Sequence, residues 1–250
     1  MLAFTLLSHI PHAYFLRVFY LLPFQPVFIG LLTTILANVG PFYLLRRRLP
    51  HNTPETSQHA TAAITSDKQI IHIVALVATA MLALPVVASL TTWLPLHLAT
   101  HFAGLRTLEP AHTAGFSTML LALFPTGYAA RQLFFTPLAA STAVTLVNKA
   151  SLAYSSGETA KVLTFDPISA TLTQTIHRNV FWHRYLPPQT QLLLERIVLV
   201  AGWTAANTAF KAYLEVDGAE VVGAMAWGSV WGVGISMAAA MLGWIAGVNV

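Results

Sequence analysis

The chain has 250 residues, of which 56% are hydrophobic and only 9% charged, with a net charge of +4. Its 13 Lys and Arg and 9 Asp and Glu cannot furnish the charged shell of a soluble domain this size, so an ordinary globular protein is excluded. Cysteine is absent, which removes disulfides, thiolate catalysis and Cys-ligated metals.

Residues 1–20 are apolar except for Thr5, Ser8, His9 and His12, which recur at i, i+3, i+4 and i+7 and form one polar stripe on a helix. Such a stripe is expected of an interfacial helix lying along the membrane before the first span. Arg17 is the only cation before that span, which departs from the Arg-rich pattern of an organellar presequence. The expected compartment is therefore the endoplasmic reticulum, with the inner mitochondrial membrane as the alternative.

Spans follow at about 26–45 and 70–93, each long enough to cross a hydrocarbon core of about 30 Å. Between them lies the polar loop 46–69, which opens on Arg46-Arg47-Arg48. Segment 112–147 reads as a third span, broken near Pro125 and Gly127 and carrying Arg131 and Gln132 near its middle. The polar stretch 148–190 precedes a fourth span, 191–213, whose ends carry Arg196 and Lys211 and reach the interface by snorkelling. The acidic turn 215–220 leads to the fifth span, 221–247. Counting Lys and Arg on each side places loops 46–69 and 148–190 in the cytoplasm, with the N-terminus outside. The expectation is an all-α, polytopic integral membrane protein. It has one helical domain with five transmembrane helices, an N-terminal interfacial helix and a broken third span.

Candidate functional residues fall into four groups. Arg131, inside an apolar segment, is costly to insert and so is expected to face the bundle interior or a polar cavity. Glu195 is a partner for it from another span, and the two are the candidate catalytic residues. His97 and His101 lie four apart and share a helical face, a spacing that can ligate a metal. A di-iron centre needs several such boxes and HExxH is missing, so no metal is assigned and no cofactor is expected. His177, Arg178, Trp182, His183, Arg184 and Tyr185 combine aromatic and basic side chains before the fourth span, as an interface belt touching lipid headgroups does. Ala224, Gly228, Gly232, Gly243 and Gly247 make a small-residue face on the fifth span, suited to close packing within the bundle or between two copies.

These features favour a membrane subunit, scaffold or lipid-contacting accessory without its own catalytic centre. Its partners would be lipids and other membrane subunits or a second copy, and not nucleic acid. The alternatives are a membrane-embedded enzyme acting on an isoprenoid or polyketide-like substrate, and a small channel or transporter. The aspartates Asp67, Asp166 and Asp217 stand apart, which excludes the Asp-rich magnesium–diphosphate motif of intramembrane prenyltransferases. Inverted-repeat transport is disfavoured because the broken third segment has no counterpart elsewhere in the chain.

Overall fold

A computed structural model of the chain describes residues 1–48, 68–109, 113, 115–136 and 188–246. Among these residues the protein is helical throughout: α1 Leu2–Phe19, α2 Phe24–Arg48, α3 Lys68–Thr91, α4 Leu94–His101, α5 Phe116–Ala130, α6 Pro188–Glu215 and α7 Val221–Ile245. A π-turn, Arg131–Phe135, continues α5 directly.

The core divides into two layers along one bundle. The lower layer joins Ala3 and Leu7 of α1, Val74 to Leu82 of α3, Ala129 to Phe134, Val200 and Ala201 of α6, and Ile235 to Leu242 of α7. The upper layer joins Phe15 and Phe19, Ala83 to Leu90, Met119 and Leu123, Ala212 and Val216, and Ala224 to Trp231. Residue numbers rise from the lower to the upper layer in α1, α3 and α6 and fall in α5 and α7, so three of these helices run one way and two the other. Helix α2 follows α1 after a link of only residues 20–23 and packs on it, so it runs back down α1. Short α4 caps the top of the bundle, burying Leu94, Pro95 and Leu98.

Three described helices are long and apolar enough to cross a membrane: Phe24–Leu45, Ile71–Thr91 and Val221–Ile245. This makes the protein a helical membrane protein, but the count differs from the five spans expected. Regular helix in α5 lasts only 15 residues and meets Arg131 and Gln132 at its end. Helix α6 has 28 residues but carries Glu195, Arg196, Lys211 and Glu215.

The N-terminal helix also departs from expectation. Most of its polar stripe is turned into the bundle, because Thr5, Ser8 and His12 are buried along with Leu7, Phe15 and Phe19. Helix α1 packs against α2, α5 and α6 and, at about 1.5 Å per residue, reaches about 27 Å beside them. Its polar groups are accommodated locally: Thr5 Oγ1 donates to Met1 O at 3.2 Å, and Ser8 Oγ to Thr5 O at 3.2 Å. Asn207 Nδ2 of α6 then donates to Ser8 O at 2.8 Å, an interhelical bond between residues 199 apart. A polar stripe identifies a face, whereas the neighbouring helix decides what covers it.

The expected break at Pro125–Gly127 is likewise displaced. Helix α5 passes through both residues and relaxes one turn later, in the π-turn. Proline removes one N–H and crowds the preceding turn, yet membrane helices absorb this with Ser/Thr hydroxyls and local π adjustments. Here Thr126 Oγ1 donates to Leu123 O. Gly127 lies against Thr79 and the carbonyl of Ala75 on α3, leaving no room for a side chain.

The upper end is knitted by loops. Helix α1 ends with Leu22 N donating to Leu16 O at 3.3 Å, a six-residue closure that requires left-handed backbone at Leu21 (φ 52°). Arg106 and Thr107 donate their backbone N–H groups to Phe19 O. Phe102 and Ala219 form an isolated antiparallel bridge, and Glu220 N donates to His101 O at 2.8 Å.

Candidate functional site

Two polar regions interrupt the apolar bundle, one in each layer. The upper one begins on α1 and α6. His12 Nε2 lies 2.6 Å from Glu215 Oε2, a close approach of imidazole and carboxylate, and His12 Nδ1 has no hydrogen-bond partner among the described residues. Lys211 Nζ is 3.6 Å from Glu215 Oε1, one turn back on α6. His9 joins them, and its Nδ1 is also buried without a partner. Between these side chains and α2 lies a cavity of about 250 Å³, whose far wall is Pro26, Val27, Gly30, Leu31 and Thr34.

Leu16 and Glu215 also line a second cavity above it, of about 410 Å³, bordered by Tyr20, Ala103, Arg106 and Asp217. Glu215 therefore stands between an upper cavity with both charge signs and a lower one with an apolar wall. The Tyr20 hydroxyl donates to Ala103 O at 3.4 Å. Partial burial holds its phenol above the ordinary value, so it stays a donor at neutral pH.

Behind His12 the core is tightly aromatic. The Tyr14 ring stacks on Trp227 with centroids 6.2 Å apart and meets Trp231 edge-on, and Phe15 packs on Trp227 at 5.0 Å. Both indole N–H groups and the hydroxyls of Thr204 and Thr208 are buried without hydrogen-bond partners among the described residues.

The lower region centres on the π-turn. Arg131 is only 7% exposed, and its guanidinium carbon sits 4.8 Å from the centre of the Tyr128 ring, a cation–π contact. Its Nε and Nη1 have no hydrogen-bond partner among the described residues. A π-turn leaves backbone carbonyls out of α-register, and one of them, Leu133 O, accepts from Arg196 Nη1 at 2.8 Å. Glu195 is half-buried beside Arg196 on α6. The two candidate catalytic residues thus lie on α5–π and α6 at the lower end, well away from the His12–Glu215 region.

His97 and His101 sit together on α4 with ring centroids 5.4 Å apart, but His101 Nδ1 turns to Glu220 Oε2 at 2.6 Å. Among the described residues no three His, Cys, Asp or Glu side chains gather to hold a metal ion. Ala224 is buried in the upper layer. Gly228 faces Ala205 and Ala209 of α6, Gly232 faces Ala205 and Ala201, and Gly243 faces Leu193. The small-residue face of α7 is thus filled by α6 of the same chain, so a second copy would have to use another surface. Gly247, the basic-aromatic group His177, Arg178, Trp182, His183, Arg184 and Tyr185, the loop residues 49–67 and 148–187, and the segment 137–147 lie outside the described residues.

The His12–Glu215 pair was not foreseen. Its members are 203 positions apart (215 − 12), and only the shared polar stripe of α1 hinted at it. Comparison with known proteins finds no matching family model, no similar curated protein and no similar solved structure, so the chemistry of the two regions has to speak for itself.

Proposed function

We propose that the protein is a multi-pass membrane subunit or scaffold, held in the bilayer by a packed five-helix bundle and meeting its neighbours through α2. One observation carries this reading: among the described residues the apolar stretch of α2 has none of its length buried, and the helix packs mainly on α1. Ile29, Leu32 and Leu36 recur at i, i+3 and i+7 on its exposed side, a helical face suited to another transmembrane helix.

In this reading α1, α2, α3, α5 with its π-turn, α6 and α7 all cross. The alternation of directions then puts the N-terminus, the C-terminus and both long connections on one side. Arg46, Arg47, Arg48, Lys68, Lys149, Lys161, Arg178 and Arg184 belong to that side, which makes it cytoplasmic by the positive-inside rule. The membrane proposed is that of the endoplasmic reticulum, tested by fractionation of tagged protein.

The subunit reading is tested by native mass spectrometry of the full chain released in mild detergent. A stoichiometric protein neighbour, a second copy or a different chain, is expected. It is expected to be lost when Ile29, Leu32 and Leu36 are changed together to serine. A monomer, or an assembly indifferent to those changes, overturns the proposal.

A second reading, an enzyme for a lipophilic anionic substrate, has one observation in its favour: a buried guanidinium on a π-turn, two of whose nitrogens have no hydrogen-bond partner among the described residues, in a deformation frequent at functional sites. It requires a lipophilic carboxylate or phosphate to co-purify with the protein and to be lost from Arg131→Gln.

A further inference from the structure

The cavity between α1, α2 and α6 has the make-up of a headgroup site. It contains one cation, Lys211, and one anion, Glu215, with two imidazoles beside them and an apolar wall opposite. His12 is only 5% exposed, borders this cavity, and has an Nδ1 without a hydrogen-bond partner among the described residues. His9 borders the same cavity, so the two rings add to the polar wall that Lys211 and Glu215 form.

Charge balance narrows the ligand. A purely anionic headgroup would approach Lys211 but meet the carboxylate of Glu215, which lies 3.6 Å from that ammonium. A neutral alcohol would leave both charges without a new partner. A headgroup with a phosphate and a primary ammonium satisfies both. Glu215 has lone pairs to spare, because a carboxylate offers about four acceptor positions and His12 and Lys211 take two.

Size and depth agree with this choice. The volume of about 250 Å³ corresponds to about eight waters at ~30 Å³ each, enough for a headgroup but not for a whole lipid. Lys211 and Glu215 lie in the last turns of α6, at the upper end of the bundle. The shared residues Leu16 and Glu215 link the site to the cavity above. Acyl chains can continue along the unburied side of α2.

We propose that this cavity binds the headgroup of a phosphatidylethanolamine-type zwitterionic phospholipid, with phosphate at Lys211 and His9 and ammonium at Glu215. The proposal deepens the membrane-subunit reading by naming a lipid that the chain holds, and it rests on α1 and α2 crossing the bilayer.

The test is native mass spectrometry of the full-length, delipidated protein in detergent, titrated separately with phosphatidylethanolamine, phosphatidylcholine, phosphatidylglycerol and chain-free glycerophosphoethanolamine. One phosphatidylethanolamine per chain is expected, held about tenfold more tightly than the other two lipids, a factor equal to about 1.4 kcal/mol. The chain-free headgroup is expected to bind at least about tenfold more weakly than the lipid. Lys211→Gln and Glu215→Gln should each erase the preference. Gly30→Leu fills the cavity from α2, where an added Cβ meets nothing within 4 Å, and should abolish binding with the melting temperature unchanged. That variant decides the matter even when a charge variant fails to fold. Equal or better retention of phosphatidylglycerol, equal binding of the chain-free headgroup, or unchanged binding by Gly30→Leu overturns the proposal. Protein stoichiometry is read from the same spectra, so loss of a subunit partner and loss of lipid selectivity are scored separately.

Discussion

Helices α2 and α7 look alike as sequence and behave differently in the fold. Each has an apolar stretch long enough to cross a bilayer, and that of α2 is the more apolar, yet 0% of it is buried against 56% for α7. Side-chain size explains the difference better than polarity. The inward face of α7 alternates Gly228 and Gly232 with Trp227 and Trp231, so α6 approaches on the glycine side while α1 supplies rings on the tryptophan side. The face of α2 carries Phe28, Ile29, Leu32 and Leu36, and its two glycines have no neighbour within 4 Å of an added Cβ. Lipid tails are as apolar as leucine, so hydropathy alone does not draw one span to another. Close backbone approach does.

The largest effects that separate the two helices should come from α7. Trp227 is fully buried against Tyr14, Phe15 and Phe19. Trp227→Ala is expected to cost about 3–5 kcal/mol, read as a fall in unfolding midpoint in detergent. Phe28→Ala, the matching aromatic deletion on α2, should shift that midpoint little. Comparable losses at both positions would mean that α2 is packed as tightly as α7. Next comes Gly228→Leu. An added side chain would meet the carbonyl oxygen of Ala205, with Ala209 Cβ at 2.9 Å, and a backbone carbonyl cannot rotate away. The cost should be about 3 kcal/mol or more, with α6 and α7 forced apart. A stable Gly228→Leu protein would show that the α6–α7 seam is not the tight contact of the bundle.

The same contrast marks where sequence reasoning reaches and where it stops. Three apolar spans, the small-residue face of α7 and the isolation of Arg131 within an apolar segment are all properties of contiguous residues, and periodicity exposes them. The role of α1 is not such a property. Thr5, Ser8, His9 and His12 define one polar face equally well for a helix under headgroups and for a helix inside a bundle. What decides is Asn207 reaching Ser8 O and Glu215 reaching His12, contacts from the far end of the chain. The π-turn is illegible for a different reason. Pro125 signals a disturbance, but the departure from α-register falls at Arg131–Phe135, where Arg196 of another helix donates to Leu133 O. Span count differs as well: 191–213 reads as a span, yet α6 carries Glu195, Arg196, Lys211 and Glu215 and is not among the three described helices apolar enough to cross.

The smallest predicted effect is the most direct test of how bare α2 is. Gly40 lies in the interior of that helix, and a Cβ built there meets nothing within 4 Å. Glycine within a helix is less favourable than alanine by about 0.5–1 kcal/mol because it fixes more backbone freedom. Pro41 follows directly and crowds a Cβ on the residue before it, which offsets that gain, so Gly40→Ala should leave the unfolding midpoint little changed. Gly127→Ala, in α5, should lower the midpoint, because its Cβ would crowd Thr79 N at 2.7 Å and Ala75 O at 2.8 Å. The proposed neighbour sharpens this pair further. In the isolated chain Gly40→Ala is silent; in the assembled complex a clash at Gly40 would lower the yield of the partner without touching the stability of the monomer. A loss confined to the assembly would extend the contact along the Ile29, Leu32 and Leu36 face to Gly40, which lies eleven residues, about three turns, after Ile29 on that same face, whereas no loss in either state would end the contact above Gly40.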